Sequence, residues 1–552
     1  MLQLMDKIID KPEWDRKVFD AKLIEKWGQE AADAEDMDVT DSMLDYCFAE
    51  LQAKAVSYRK TGVVSSLESC ASVVRSDTII HPELRQALKV ACASLENGPD
   101  KDWHPGSDGK VLDLVHPSLF PLVYGRSKAL PSGKVGLNDC EDFIGKGVLV
   151  PKVEDPDRAN DQLNIGWRWG GRQKKNGLSR DFQWLPCDVA FLEDDEVKIT
   201  SYINNLQPSQ HEHLYSVIER VTAKAIPLWD EVLSSVKAYR GSRICMEGTE
   251  YEWPQGKEAP EDYVVPEDER EDYGTEEEMD EYERQDKWEK FSRVLVMPDA
   301  GEYEKFEYTE MEKVDLRSQF AEQGLQVIVK LANIELTPDK PEYEGGSWHV
   351  EGQMNEHICA SALYYYSSEN ISDSFLGFRT WVDSQSLEEK AYGQDDYEGV
   401  EQIYGIEQHG PAVQELGRIL TKEGRLLAFP NVLQHRVSSF RLADPTKPGH
   451  RKILALFLVD PNFRVLSTAN IPPQQKSWLS KEVLERSDSL VARTSRLPNE
   501  LVDKIVKNVS HSTMTLGEAK EIRLRLMEER KALVDQADTI MHHEMSFNFC
   551  EH

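Results

Sequence analysis

The sequence predicts an α+β fold: a sandwich or jelly-roll core of short strands with extensive helical regions before and after it. Three observations lead there. Between about 320 and 465 the chain breaks into short runs rich in β-branched and aromatic residues, separated by Gly, Pro, Asn and Asp. Residues 1 to about 100 and the stretch after about 475 instead repeat apolar residues at helical spacing. At 552 residues the chain is too long for one ordinary domain, and its 40% hydrophobic content is enough for a large core.

The elements follow in order. "DMDVTDSMLDYCFAELQAKAVSYRKTG" reads as a helix with a Thr/Asp start, and "HPELRQALKVACASLEN" as a second with Pro82 in its first turn. From 101 to 190 frequent Pro, Gly and Trp predict loops and short elements packed on the core. "VKITSYINNLQPSQHEHLYSVIERVTAKAIPLWDEVLSSV" reads as a strand, a Pro-bearing turn and a long helix. The strand-like runs are "LQVIVKLANIEL", "ICASALYYYSS", "FLGFRTWVD", "RLLAF", "VLQHRVSSFRL" and "RKILALFLVDP". "TLGEAKEIRLRLMEERKALVDQADTIMHH" is a long charged helix with a Thr-x-x-Glu start. The expected regions are 1–257, mainly helical; 258–290, an acidic and flexible insertion; 291–475, the strand core; and 476–552, helical again.

Charge and cysteine usage narrow the function classes. The formal net charge is −34, a field that repels phosphate backbones and makes nucleic acid an unlikely partner. Residues 258–290 hold sixteen acidic residues against four basic ones, a run that would suit a basic protein partner or a solvated insertion. The eight cysteines are scattered with no CxxC spacing, which fits a reducing compartment better than a disulfide framework or a zinc ribbon. The first residues mix charge into their apolar pattern, and no run has the length of a membrane span. The expectation is a cytoplasmic protein, with the nucleus left open.

Chemistry concentrates in "GGSWHVEGQMNEH", residues 345–357. In an extended chain His349 and Glu351 share a face, so an imidazole and a carboxylate could take neighbouring positions on one metal ion. A facial triad of two His and one carboxylate suits non-haem Fe(II), and the third ligand has to come from elsewhere. His435 is the candidate: it lies on the apolar parity of its strand, with Leu433 and Val437. Arg451 opens a strand whose two faces are both apolar, and an inward guanidinium there needs an anionic partner. Trp348 and Gln353 flank the pair and are candidates to line a substrate pocket. His357 is a rival ligand, and Arg436 and Arg441 are rival carboxylate binders. The cluster His211-Glu212-His213 reads as the polar start of a helix. One tyrosine of Tyr364, Tyr365 and Tyr366 has to face the pocket, and the pattern leaves open which.

The HxE pair, the distal His and an Arg sixteen positions beyond it resemble the Fe(II)/2-oxoglutarate-dependent dioxygenases. "GGSWHVEG", "FPNVLQHRVSSF", "GHRKILALFLVDP", "HPSLFPLVYGR" and the end "FNFCEH" further resemble an uncharacterised, mainly fungal family of that superfamily. The resemblance implies a double-stranded β-helix, a cupin-like jelly roll. It implies Fe(II) on His349, Glu351 and His435 as the catalytic centre, the distal carboxylate of 2-oxoglutarate on Arg451, and O2 as oxidant. The implied reaction is hydroxylation of an organic or protein substrate with release of succinate and carbon dioxide. Glu351 stands where Asp is commoner, and a carboxylate there argues against halogenation. The alternatives are an inactive β-helix scaffold and a cupin-type metalloenzyme that uses no 2-oxoglutarate.

Overall fold

The computed structural model describes residues 1–34, 38–152, 177–238, 241–266, 281–382, 392, 396–478, 513–539 and 547. The middle of the acidic run and most of the segment after 478, including nearly all of "FNFCEH", lie outside them. Helices and antiparallel sheets make up the fold. The helices that matter here are α1 (Leu2–Ile9), α2 (Asp41–Thr61), α3 (Pro82–Glu96), α4 (Pro208–Lys237) and α5 (Leu516–Thr539). Their ends follow local chemistry. Thr40 accepts the Met43 N–H at 3.1 Å to start α2, and Gly62, at φ 70°, ends it. Pro82 and Pro208 occupy first turns, where a missing N–H costs nothing. His211, Glu212 and His213 fall in the opening turns of α4, as read.

The main sheet has nine strands. Those used below are β1 (Val64–Ser66), β2 (Val73–Ser76), β3 (Val111–Val115), β4 (Cys187–Phe191), β5 (Val197–Ile199), β6 (Leu325–Leu336), β8 (Ile358–Glu369), β11 (Leu426–Pro430) and β14 (Gly449–Val459). They run in the order β1-β2-β11-β8-β14-β6-β4-β5, with β3 sharing the outer edge of β6. A second sheet orders β10 (Val413–Leu420), β9 (Phe375–Trp381) and β12 (Gln434–Val437) as β10-β9-β12, and β7 (Glu342–Tyr343) pairs with β13 (Phe440–Arg441). The region expected to be mainly helical therefore also supplies β1 to β5. These strands are short, and those from 64 to 76 carry Ser and Arg among the valines, so alternation could not announce them.

Strand parity divides the core in two. Leu325, Val327, Val329 and Leu331 of β6 pack with Leu84 and Leu88 of α3 and with Leu214, Ile218 and Trp229 of α4. Ile328 of β6 turns the other way, with Leu363, Tyr365, Leu427, Phe429 and Phe457. There the main sheet meets Leu376, Phe378, Leu416 and Ile419 of the second sheet. Arg451, Ala455 and Phe457 share this inner face by alternation along β14. Among the described residues no helix is long and apolar enough to cross a membrane.

One buried ion network fixes the N-terminal segment to the sheet. Arg425 beside β11 is fully enclosed. It pairs with Asp77 at 2.8 and 2.9 Å and with Asp10 at 2.6 Å, while Arg75 of β2 pairs with Asp6 at 2.9 Å and Asp10 at 3.2 Å. Burial opposes the Asp77 charge, but the hydrogen bonds and charge of Arg425 outweigh it and hold the carboxyl far below its ordinary range. Stability from this depressed group is present above the unfolded value near 4 and fades as pH falls through the folded one. Arg425→Leu is expected to cost about 3–5 kcal/mol in urea unfolding at pH 7, because Asp77 and Asp10 lose a buried partner. The gap to wild type should narrow as pH drops below about 4.

Candidate metal centre

Backbone pairing brings the two histidines together. His349 and His435 form an isolated antiparallel bridge, with N–H to carbonyl distances of 3.2 and 3.0 Å in the two directions. Gly345 stands at φ 98° where any Cβ would press within 2.9 Å of the Val437 carbonyl, so only glycine lets this loop lie against β12. Asn431, in the turn after β11, then clamps the next residues. Its side-chain carbonyl accepts the Glu351 N–H at 2.8 Å, and its amide donates to the carbonyls of Glu351 and Ile358 at 2.9 and 3.1 Å.

The result is a compact donor set. The imidazole centroids of His349 and His435 lie 4.4 Å apart, and Glu351 Oε1 is 3.9 Å from His349 Nε2 and 3.4 Å from His435 Nε2. Donor atoms that share one ion at about 2 Å each sit at such separations. His349 Nδ1 donates to the Ser347 carbonyl at 2.8 Å, which leaves the Nε2 lone pair for a metal. Desolvation and the neighbouring His435 push the His349 imidazole down to about 4, so it stays neutral. Desolvation opposes the Glu351 charge, but the hydrogen bond from His435 outweighs it and holds the carboxyl at about 2, ionised. Two imidazoles and a carboxylate are a donor set that fits a divalent iron-like ion.

The remaining candidates are dispersed. Arg451 is 2% exposed. It donates to Ser374 Oγ at 2.6 Å and Thr421 Oγ1 at 3.4 Å, and its guanidinium lies over Tyr365 and Phe440. Its Nε is buried without a partner, and among the described residues no carboxylate pairs with it. Tyr365 is the tyrosine on this inner face, whereas Tyr364 and Tyr366 pack towards α3 and α4. Trp348 lies against Gly377 between the guanidinium groups of Arg379 and Arg436, on the side of the second sheet opposite His435. Gln353 caps the short helical turn Met354–Glu356 and reaches Glu529 of α5 at 3.4 Å. His357 ends that turn at φ 47° and stacks on Phe463, and Arg441 is exposed on β13.

A second group went unread in the sequence: His104, Asp113 and His116, whose donor atoms also lie within 4.8 Å of one another. Its signal was the repeated "HP" in "DWHPG" and "VHPS". His104 Nδ1 meets Asp113 at 2.8 Å, Arg523 of α5 sits 3.5 Å from the same carboxylate, and His116 Nδ1 accepts the Ser118 N–H. A guanidinium on the carboxylate and an occupied imidazole nitrogen suit a cation poorly.

A family model matches residues 41–482, and a companion model for the family's N-terminal domain matches 1–30. The chain belongs to the DUF4246 family, proteins of unknown function. No curated protein matches it. Among solved structures it is similar to a bsmA homologue from Methylobium petroleophilum PM1, with 13% identity and a TM-score of 0.17 over 28% of this chain and 48% of that one. It is also similar to the Fe(II)/(alpha)ketoglutarate-dependent dioxygenase TqaL, with 14% identity and a TM-score of 0.16 over 27% of this chain and 48% of that one. A third is EvdO2 from Micromonospora carbonacea var. aurantiaca complexed with 2-oxoglutarate, with 10% identity and a TM-score of 0.12 over 24% and 52%. The chain spans about half the length of the structures it matches.

Calorimetric titration with Mn(II), a redox-stable probe, is expected to show one site that His349→Ala or His435→Ala abolishes. Asn431→Ala should leave a folded protein with about 10–100-fold weaker binding, since it removes the clamp on a ligand rather than the ligand.

Proposed function

We propose that this protein is a non-haem Fe(II)- and 2-oxoglutarate-dependent oxygenase with a double-stranded β-helix core. The observation that carries the reading is Arg451. A guanidinium enclosed between sheets, held by two hydroxyl groups and with no carboxylate partner among the described residues, is costly unless a ligand supplies the anion. It lies on the inner face across which the second sheet, carrying His435, packs. The order β6-β14-β8-β11, opposed by the sheet β10-β9-β12, supports the β-helix reading.

When bound, Fe(II) with 2-oxoglutarate and dioxygen supplies hydroxylation chemistry coupled to release of succinate and carbon dioxide. The chain's residues do the rest. His349, Glu351 and His435 would hold the metal through two imidazole nitrogens and a carboxylate oxygen. Arg451 binds the distal carboxylate of the co-substrate, with Ser374 and Thr421 fixing the fork and Tyr365 packed beneath it. Trp184, Phe429 and Phe457 keep the inner face dry, which strengthens each of these polar contacts.

With Fe(II) and ascorbate, the purified protein is expected to convert 2-oxoglutarate to succinate even without a primary substrate, and His349→Ala should stop it. Arg451→Gln should raise the 2-oxoglutarate concentration for half-maximal turnover about 30-fold, the equivalent of about 2 kcal/mol for a lost charge-assisted contact. Unchanged turnover in both variants would refute the assignment.

A further inference from the structure

A second set of cationic and donor groups surrounds the inner face, displaced from the metal centre in a different direction from Arg451. Strand register gives the directions. Phe429, whose ring lies 4.7 Å from that of His435, pairs with Ser361, which pairs with Phe457 of β14. Trp184 stacks on Phe457 at 6.0 Å, so it sits two strands, about 10 Å, across the sheet from the His435 position. Lys330 lies one strand further, opposite Ala455, and Asp113 of β3 lies beyond it, opposite Ala332. Arg451 instead pairs with Ile334, about 13 Å along the strand from Lys330.

Three donors lie around Trp184 and the neighbouring strand position of Lys330. Arg530 of α5 lies 3.6 Å above the Trp184 ring and gives one nitrogen to Glu356 at 2.7 Å, but its Nε and Nη1 are buried without a partner. Glu356 neutralises the Arg530 charge and also accepts the N–H groups of Trp184 and Gln353, so the remaining guanidinium N–H groups are left without an acceptor among the described residues. Lys330 has neither an ion pair nor a hydrogen bond among the described residues, and its charge is a minor influence that favours the ionised forms of Glu351 and Asp113. Asp113 takes His104 and Arg523 on one carboxylate oxygen, while its Oδ1 is buried without a hydrogen-bond partner among the described residues. His116 is 5% exposed, and because its Nδ1 accepts the Ser118 N–H, the neutral ring carries its proton on Nε2 as a donor. In a chain of net charge −34, a lysine with no ion pair and two buried guanidinium nitrogens with no acceptor among the described residues call for an anion.

We propose that Lys330, Arg530 and His116 form a binding site for a carboxylate of the primary substrate, which is a small organic acid. The assignment rests on the oxygenase reading for the word substrate, but the site itself can be tested without turnover. Benzoate is titrated calorimetrically into the full chain, first metal-free and then loaded with Mn(II) and N-oxalylglycine, which occupies Arg451; benzyl alcohol is the neutral control. Benzoate should bind the loaded protein, benzyl alcohol should not, Lys330→Met should weaken benzoate at least 10-fold at unchanged melting temperature, and Arg530→Met should weaken it at least 10-fold in a protein whose melting temperature is lowered by the loss of the Glu356 pair. Lys330→Met alone decides if Arg530→Met does not fold. No benzoate binding to either form, equal binding of the alcohol, or indifference to these variants would overturn the proposal. Failure of Mn(II) and N-oxalylglycine to bind would instead count against the oxygenase reading, whatever benzoate does.

Discussion

The site depends on the backbone bridge between His349 and His435. Those two residues belong to segments almost ninety positions apart, and their reciprocal hydrogen bonds at 3.2 and 3.0 Å set the angle and spacing of both imidazoles. Asn431 adds Glu351 to the same frame by holding its backbone N–H and carbonyl at once. Strand pairing positions side chains more tightly than a loop can, because each donor is then fixed relative to a hydrogen-bonded ladder. The glycine at 345 belongs to this constraint, since a side chain there would push the loop off the Val437 carbonyl.

Around this frame the protein inverts its own charge. The chain is strongly acidic, yet the inner face presents Arg451 and Lys330, which pair with no carboxylate among the described residues, and Arg530, whose Nε and Nη1 have no acceptor there beyond its Glu356 pair. Elsewhere the interior is matched: Arg425 and Arg75 face Asp6, Asp10 and Asp77, and Arg243 and Lys54 face Glu50 and Glu68. The contrast separates cations matched by carboxylates from cations left with open donors among the described residues. α5 serves both ends, with Arg523 on Asp102 at 2.6 Å, Arg530 on Glu356, and Asp538 on Arg379 at 2.6 Å. That helix therefore closes over the inner face and carries one of its donors.

Much of the geometry was legible locally. Parity along "VLQHRVSSFRL" put His435 inside and Arg436 outside, and parity along "RKILALFLVDP" put Arg451 on an enclosed face. Both follow from a period of two, which sequence displays directly. Trp348 shows the limit: it neighbours His349 in sequence, but the strand sends it to the opposite side, against Arg436. Gln353 was read as a pocket residue, but its side chain caps a turn, a role fixed by Glu356 and α5 together. Arg530 and the His104–Asp113–His116 group were illegible for another reason. Each acts through partners hundreds of positions away or through strands too short to show a period, and only the assembled sheet brings them beside the triad.

The most direct test of the account is anomalous X-ray scattering at the iron edge from crystals grown anaerobically with Fe(II) and N-oxalylglycine. A single iron peak bonded to His349 Nε2, Glu351 and His435 Nε2 at about 2.0–2.2 Å, with the analogue's distal carboxylate on Arg451, is the predicted result. Iron bound at His104, Asp113 and His116 instead, or an analogue that leaves the Arg451 guanidinium without an anion, would contradict it.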